Sequence, residues 1–461
     1  MASPTRSVMW FRRDLRLGDN PALLEAVAEG EVVPLFVLDP ALWRPSGPTR
    51  RAYLGASLRA LDASLRRLGG ALTVVEGDPV RRVVDVARAA AAERVHVAAD
   101  YGPYGHRRDG AVEQALAEHG TGLVRTGSPY AVAPGRLQNG SGLPYRVYTP
   151  FSRAWADHGW RAPVDRPPAT ARWVDAESLG SLAGGGPVAV PDAAPPDGLE
   201  LPEAGEAAAH RKWEEFLERV DDYDDERDRP DLDTTSHLSV HLKWGEIHPR
   251  TLLADLARLR AAGAATYRKE LAWREFFADV LFHRPETARE YLRAGFARLR
   301  YDDPGDRLPA WAEGRTGFPV VDAGLRQMRA TGWMHNRVRM IVASFLVKDL
   351  HLEWQHGARH FMRWLVDADL ASNQQNWQWA AGSGVDAAPY FRVFNPTTQG
   401  RRFDPDGAYV RRWVPELAAL PAAADPHDPS PDHRAAVGYP LPIVDHAAER
   451  REALARYEEI R

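Results

Sequence analysis

The sequence predicts an α/β domain built on a doubly wound parallel sheet, then a long connector, then an all-α domain. Three observations carry that reading. Short, wholly apolar runs alternate with helix-like stretches through the first part of the chain. Residues from about 161 to 209 are rich in Pro, Gly and Ala and show no periodicity, as in RAPVDRPPATARW and GGGPVAVPDAAPPDGLELPEAG. From about Glu206 onward the pattern is helical and aromatic, and ten of the 15 tryptophans lie there.

In chain order, the expected strands are SVMWF (7–11), VVPLFVL (32–38), ALTVV (71–75) and RVHVAA (94–99). Each is short and apolar on both faces, as a strand covered from both sides should be. The intervening helices are PALLEAVAEG (21–30), RAYLGASLRALDASLRRLGG (51–70), DPVRRVVDVARAAAAE (78–93) and RDGAVEQALAEHG (108–120). No GxGxxG and no GxxxxGKS/T follows any strand, so the usual dinucleotide and P-loop fingerprints are absent. The division expected is 1–135 for the α/β domain, 136–204 for the connector and 205–461 for the helical domain, without internal repeats.

Composition narrows the function. The 461 residues carry a formal net charge of -4, so a polyanionic partner must be met by a local basic patch. There is no cysteine, which excludes disulfides, thiolate nucleophiles, Fe–S clusters and Cys-type zinc sites. The start, MASPTRSVMWFRRDLRL, lacks the apolar segment of a signal peptide and reads as a strand. MIVASFLV (340–347) is among the longest apolar runs and is far too short to span a bilayer. A soluble, cytoplasmic protein is expected.

Several helical faces carry unusual residues. In NRVRMIVASFLVK (336–348), Val338, Ile341, Val342, Phe345 and Leu346 form the apolar stripe, and Asn336, Arg339, Met340 and Ala343 stand opposite. Taken alone, that face reads first as plain surface with an incidental Met. In ELAWREFFADVLF (270–282), Glu270, Trp273, Arg274 and Phe277 share one face of an otherwise apolar helix. A carboxylate and a guanidinium there require partners, as a structural ion pair or as a site. Arg326, Arg329, Arg337, Arg339 and Lys348 fall in a stretch without acids, as do Arg392, Arg401 and Arg402 amid Tyr390, Phe391, Phe394 and Phe403. Cations interleaved with aromatics suit nucleic acid, although charge runs are more often solvated faces. The i,i+4 pairs His237/His241 and His356/His360 lack an HExxH frame and a third ligand, so no metal is expected. TTSHLS (234–239) suits an N-cap first and a phosphate second.

The chain resembles the cryptochrome/photolyase family over nearly its whole length. The likeness rests on MWFRRDLRLGDNPAL (9–23), YRVYTPFSRAW (145–155), TSHLSVHLKWGEI (235–247), ELAWREFF (270–277), TGWMHNRVRMIVASFLVKDL (331–350) and the stretch from DADLASNQQNWQWAAGSG (367–384) to RRWVP (411–415), in that order. Among its members the chain looks most like a class I cyclobutane pyrimidine dimer photolyase. The resemblance implies an α/β domain joined to a helical domain that holds FAD, active as FADH⁻, and a light-driven electron transfer that splits a dimer flipped out of DNA.

Residue by residue, the resemblance puts Tyr223, Thr235, Ser236, His237, Leu238, Ser239 and Tyr267 around the FAD pyrophosphate side. Asp367, Ala368 and Asp369 line the isoalloxazine, Arg339 pairs with Asp367, and Asn373 addresses N5. Trp273 and Trp379 wall the lesion pocket, Glu270 and Asn336 bind the pyrimidine polar groups, and Met340 packs beside them. Arg227, Arg274, Arg337, Arg392 and Arg401 are expected at DNA phosphates.

For electron transfer the resemblance implies Trp377, then Trp354, then Tyr301 where Trp is usual, with Trp311 as a substitute. An antenna is expected at Arg51, Asp100, Gly105, Arg108 and Lys243. The set resembles an 8-hydroxy-5-deazaflavin site, since Gly105 occupies the place of the acid that a folate (5,10-methenyltetrahydrofolate) would require. The expected partner is DNA containing cyclobutane pyrimidine dimers, bound by a monomer. The other readings are a cryptochrome-type photoreceptor, which the ending in YPLPIVDHAAERREALARYEEIR without a long regulatory tail disfavours, a (6-4) photolyase, and a non-enzymatic DNA-binding protein.

Overall fold

A computed structural model of the chain describes residues 5–385 and 391–461. Its first part is the expected doubly wound sheet. Strands β1 (Arg6–Phe11), β2 (Glu31–Leu38), β3 (Thr73–Glu76), β4 (Arg94–Val97) and β5 (Gly122–Arg125) stand in the order β3-β2-β1-β4-β5, all parallel. The register sets Val8 between Val33 and Val95, and all three are fully buried. Helices Pro21–Glu29, Pro48–Arg66, Pro79–Ala89 and Pro103–Ala117 cross between strands, each with proline in its first turn, where the missing N–H costs no hydrogen bond.

β5 and β6 (Arg172–Trp173) escaped the sequence reading. β5 is an edge strand, GLVR, with no fully buried residue, and β6 is two residues paired beside the start of β2. Neither has the length or the continuous apolar character that marks a buried strand.

The chain leaves β1 for β2 on one side, while β4 lies on the other. The crevice beyond the carboxyl ends of β1 and β4 is therefore the topological switch point, where such sheets bind ligands. Arg12, Arg13 and Asp100 stand there, immediately after those strands.

The second part is helical. Ala262–His283, Pro319–Thr331, Asn336–Lys348, Trp354–Trp364 and Leu370–Ala381 pack around a core that includes Trp311, Phe345 and Trp354, all fully buried. No helix among the described residues is long and apolar enough to cross a membrane.

The connector is far from passive. Helix Tyr148–His158 packs Phe151 and Trp155 against Phe276 of the helical part. Glu275 accepts the N–H groups of Ala131 and Val132 and the Trp155 indole, at 2.6, 2.9 and 2.6 Å. Further on, the chain returns to the sheet: the Trp173 indole donates to the Leu68 carbonyl and the Val188 amide to the Val74 carbonyl.

Buried ions tie the two parts together. Glu206 accepts the N–H groups of Leu17 and Gly18 at 3.0 Å each, and Arg250 reaches Asp19 at 2.6 Å. Glu246, with no exposed surface, accepts from Tyr53 and Ser57 at 2.8 and 2.6 Å. Buried charges are tolerated only when their hydrogen bonds are filled, and these are.

Candidate functional site

Five helices and one turn surround a cavity of about 500 Å³ that continues into a smaller one of about 90 Å³. The larger volume is that of a small-molecule site. Glu270, Trp273 and Arg274 enter it from helix Ala262–His283, and Asn336, Arg339 and Met340 from helix Asn336–Lys348. Each trio recurs at i, i+3 and i+4, which puts it on one face. Trp379 closes a side from helix Leu370–Ala381, and Tyr223, Tyr267 and residues 235–239 form the far wall. Ala368, Asn373 and Trp377 line the smaller cavity, and Asp367 and Asp369 line both.

The hydroxyl turn does not cap a helix. Helix Ser239–Trp244 has no side-chain cap; Ser239 instead donates to Asp367 Oδ2 at 2.7 Å, and Ser236 bonds the Tyr267 hydroxyl at 2.8 Å. Thr235 Oγ1 is buried without a partner. His237 holds φ at +53°, a left-handed conformation uncommon for a side-chain-bearing residue, and its ring lies 4.0 Å from that of Trp333. Capping was the first expectation for this stretch; the geometry turns its hydroxyls to the cavity instead.

Asp367 is the centre of the polar wall. Its Oδ2 accepts from Arg339 Nη2 at 2.8 Å as well as from Ser239, while its buried Oδ1 has no partner. An orphaned carboxylate oxygen beside an orphaned threonine hydroxyl, in a cavity of this size, fits a polar cofactor such as FAD. Asp369 caps helix Leu370–Ala381 through the Ser372 amide at 3.0 Å. Burial pushes its carboxyl up, but Arg13, Arg274 and Lys243 outweigh that and hold it below the usual carboxylate range. Asn373 donates to the Ala358 carbonyl at 3.2 Å and to Gln374 Oε1 at 2.7 Å. The neighbouring amides Gln375 and Gln378 are structural: they bind Thr287 and the carbonyls of the 287–290 turn.

At the mouth, Arg227 Nη1 lies 2.6 Å from Glu270 Oε1. Burial raises the Glu270 carboxyl, and Arg227 works against that rise. Trp273 is stacked on Tyr148 of the connector, with ring centroids 3.7 Å apart and planes 4° apart. One face of Trp273 is thus covered, Phe276 and Phe277 pack on its ring at 5.7 and 5.3 Å, and the residue still lines the cavity.

His335 precedes Asn336 as the helix N-cap, its Nδ1 accepting the Arg337 amide at 3.2 Å. Burial lowers its pKa to about 4, so it is neutral at pH 7. Unfolding returns it to its ordinary value of 6.5. The unfolded chain then binds the extra proton, so this contribution to stability is complete above pH 6.5 and is lost as pH falls toward 4, by up to ~3 kcal/mol. The urea midpoint should therefore drop between pH 7 and pH 5. His335→Asn keeps a capping acceptor and removes the titration, so it should drop less; an equal drop in both proteins would show that His335 is not responsible.

Several expected residues sit elsewhere or have other partners. Arg274 lines the cavity but donates to the Pro129 and Leu242 carbonyls and covers the Tyr130 ring, so its guanidinium faces the α/β part, away from an outer phosphate track. Arg337 pairs with Asp228 at 2.6 Å and lies over Phe403. Arg401 pairs with Asp425 and Asp428. The Arg392 carbonyl accepts from buried Lys348. Asp386 and Tyr390 lie outside the described residues.

Of the antenna set, Asp100, Gly105 and Arg108 come together at the switch-point crevice: Arg108 reaches Asp100 at 3.2 Å, and a Cβ on Gly105 would meet the Asp100 carboxylate at 2.1 Å. Arg51 instead donates to the Trp43 and Arg44 carbonyls. Lys243 stands in the wall of the large cavity, where burial lowers its pKa to about 7. A lysine read from one motif could not be assigned to one side of the interface without the packing.

Trp377 lies against helix Trp354–Trp364, where a Cβ on Gly357 would meet its ring at 2.0 Å. Trp354, one turn earlier, has no exposed surface, and its ring contacts Tyr291 at 6.2 Å; Tyr291 in turn stacks on Tyr301 at 6.2 Å. Burial raises the Tyr301 hydroxyl to about 12. Trp311 touches Trp377 at 6.2 Å but is wholly buried, so it offers no surface terminus. The histidine pairs diverge: His237 binds Asp233, His241 binds Glu246, and His360 packs on Trp311.

Arg13 was missed. Arg12 and Arg13 follow β1 and, as strand alternation requires, diverge: Arg12 pairs with Asp109 and Arg13 with Asp369 across the domain boundary. The adjacent pair of arginines at a strand end was the available signal.

Fold and cavity define a class, an α/β domain docked on a helical domain that encloses a cofactor-sized cavity with a charged inner wall and tryptophans at its mouth. Comparison with known proteins makes that class specific. Residues 7–170 match the family described as DNA photolyase, and residues 267–459 the FAD binding domain of DNA photolyase. A deoxyribodipyrimidine photo-lyase of Agrobacterium fabrum is 41% identical over 475 residues, covering 98% of each chain. A bacterial class III photolyase of Agrobacterium tumefaciens, solved by crystallography, superposes with a TM-score of 0.91 at 40% identity over 100% of this chain and 98% of that one. An archaeal photolyase of Sulfolobus tokodaii with two FAD molecules gives 0.84 at 29% identity, over 99% and 100%. The chain belongs to the photolyase/cryptochrome family. The class I expectation finds no support here, because the structural relative at 40% identity is of class III.

Proposed function

We propose that the chain is a deoxyribodipyrimidine photo-lyase, a light-driven DNA-repair enzyme, of class III type. The observation that carries this is the cavity itself: a charged inner wall with an orphaned carboxylate oxygen on Asp367, and a mouth bounded by Trp273, Trp379, Glu270, Asn336 and Met340. When bound, reduced FAD supplies the photoexcited electron that opens the cyclobutane ring and takes it back. Thr235, Ser236, Ser239 and Tyr267 would hold the pyrophosphate side of the cofactor, Asp367 and Arg339 its ring edge, and Asn373 would address the flavin ring. Trp273, braced by Tyr148, and Trp379 receive the flipped dimer and exclude water from it. Glu270, whose carboxyl burial raises against the pull of Arg227, faces the pyrimidine polar groups where negative charge develops. Arg227 and Arg337 exchange their carboxylate partners for phosphates as DNA docks.

Electrons reach the cavity through Trp377 and Trp354 from Tyr301, whose hydroxyl donates to the Phe296 carbonyl at 3.4 Å. The antenna in this reading is 8-hydroxy-5-deazaflavin in the switch-point crevice. A glutamate at position 105, as a folate would need, would collide with Asp100. The enzyme acts as a monomer, with domains 1–135, 136–204 and 205–461 as read from the sequence.

The test is recovery of thymine absorbance from a dimer-containing oligonucleotide mixed with flavin-loaded, reduced protein. Recovery in blue light and none in the dark is expected; no recovery in light would move the reading to a photoreceptor. In the same assay Glu270→Ala should lose roughly tenfold in repair per bound lesion, about the value of one hydrogen bond to a developing charge, while retaining its flavin. Equal loss of flavin and repair would place Glu270 among the cofactor contacts instead.

A further inference from the structure

Arg227 sits between two carboxylates at the cavity mouth. Its Nη1 donates to Glu270 Oε1 at 2.6 Å, and its Nε lies 4.0 Å from Asp228 Oδ1. Asp228 pairs in turn with Arg337 at 2.6 Å. Four alternating charges thus run from helix Ala262–His283, across the turn at 227–228, to helix Asn336–Lys348. The row is incompletely satisfied: Asp228 Oδ1 and Arg337 Nε are buried without a hydrogen-bond partner. The side chains of Glu270 and Asp228 are each 31% exposed, so water reaches both carboxylates while the mouth is open.

Little besides Arg227 favours the ionised form of Glu270. Burial raises its carboxyl, Arg227 is the largest pull the other way, Asp228 adds to the rise, and Lys269, next to it on the helix, opposes it least of these. Tyr148 of the connector, Tyr223 of the turn and Tyr267 of the same helix stand around it, and burial keeps all three phenols neutral. Their hydrogens go elsewhere where a bond is made: Tyr148 donates to the Lys269 carbonyl, and Tyr267 bonds Ser236. Asn336, Arg337 and His237 line other walls of the same cavity, with His335 buried beside them. Take Arg227 away and close the mouth, and Glu270 is a covered carboxylate near a second one. Two carboxylates in that position do not both stay ionised.

We propose that docking of dimer-containing DNA loads one proton onto Glu270, with Arg227 as the switch. A phosphate beside the lesion draws Arg227 off the carboxylate, the dimer displaces water from the mouth, and a proton from solvent takes the place of the guanidinium. One O–H bond forms on Glu270 and no electron moves. The neutral acid then donates to a pyrimidine carbonyl, which a carboxylate has no hydrogen to do. This rests on the repair reading above. Undamaged DNA also offers phosphates, but it leaves the mouth open to water, so Glu270 stays hydrated and ionised. The proton therefore enters only with the lesion.

Protons are counted by titration calorimetry in the dark, with full-length, flavin-loaded protein and a dimer-containing duplex, in two buffers of different ionisation enthalpy. Binding that takes up a proton weakens as pH rises. The wild-type dissociation constant should therefore climb by up to about tenfold per pH unit within the range from about pH 5 to pH 8, where uptake should approach one proton. Glu270→Gln keeps a donor and cannot titrate, so its uptake should vanish and its affinity should stay level with pH. Arg227→Gln should bind more weakly and take up less, because its Glu270 is already partly protonated before DNA arrives. Uptake that persists in Glu270→Gln would assign the proton to His237 or His335 and overturn the proposal. Full uptake in Arg227→Gln, or equal uptake with undamaged duplex, would overturn the switch. Preference for dimer-containing DNA without any uptake would overturn the coupling and leave the repair reading intact; no such preference would overturn both.

Discussion

Trp354→Phe should leave the purified protein yellow under blue light with a thiol donor, under conditions that bleach the wild type within minutes. Trp354 has no exposed surface, stands one turn before Gly357, on which Trp377 packs, and meets the Tyr291–Tyr301 pair. Phenylalanine keeps the ring's bulk but is much harder to oxidise. An added barrier of only ~3 kcal/mol slows a step about a hundredfold, so reduction should fall to background. Repair by chemically reduced protein should survive, because Trp354 does not line either cavity. Parallel loss of both would mean that the substitution has disturbed the packing of Trp377 on Gly357. Photoreduction that persists unchanged would direct attention to Trp311, whose ring meets that of Trp377 at 6.2 Å.

The second large effect is expected at Asp367. Asp367→Asn keeps the shape and removes the charge that Arg339 and Ser239 share. The protein should then purify with less than about a tenth of the wild-type flavin, because a partly buried guanidinium is left without its counter-charge and the ring edge loses its charged neighbour, a loss of a few kcal/mol. Flavin absorbance per chain, set beside the thermal midpoint of the flavin-free protein, separates the two consequences. A normal midpoint with little flavin supports a binding role. Full flavin content would show that Asp367 serves only to hold Arg339.

Much of the architecture was legible because buried parallel strands announce themselves. β1 to β4 are short apolar runs bounded by turns, and helix Asn336–Lys348 falls on the residues its stripe predicted. β5 was not legible, since GLVR at a half-exposed edge lacks the continuous apolar signature. Within the site, side chains on regular helices were readable as faces: Glu270 with Trp273, and Asn336 with Arg339 and Met340. What sequence could not supply was which partner each charge takes. Arg274 was assigned to a phosphate, and it donates instead to the Pro129 carbonyl at the domain boundary. Tyr148 gave no sign that it would lie on Trp273, because a stack between residues 125 positions apart has no periodicity. Long-range pairing of this kind is set by packing.

The buried ions between the two parts bear on how the molecule comes apart. Drawing the α/β half away from the helical half would part the ion pairs Asp19–Arg250 and Arg13–Asp369 and take from buried Glu206 the amides of Leu17 and Gly18. A slight opening that does not yet admit water would leave several of these charges unpaired at once, at a few kcal/mol apiece. The halves therefore have no intermediate position to rest in, and melting engages both together. The chain is two domains in architecture and a single unit in its thermodynamics.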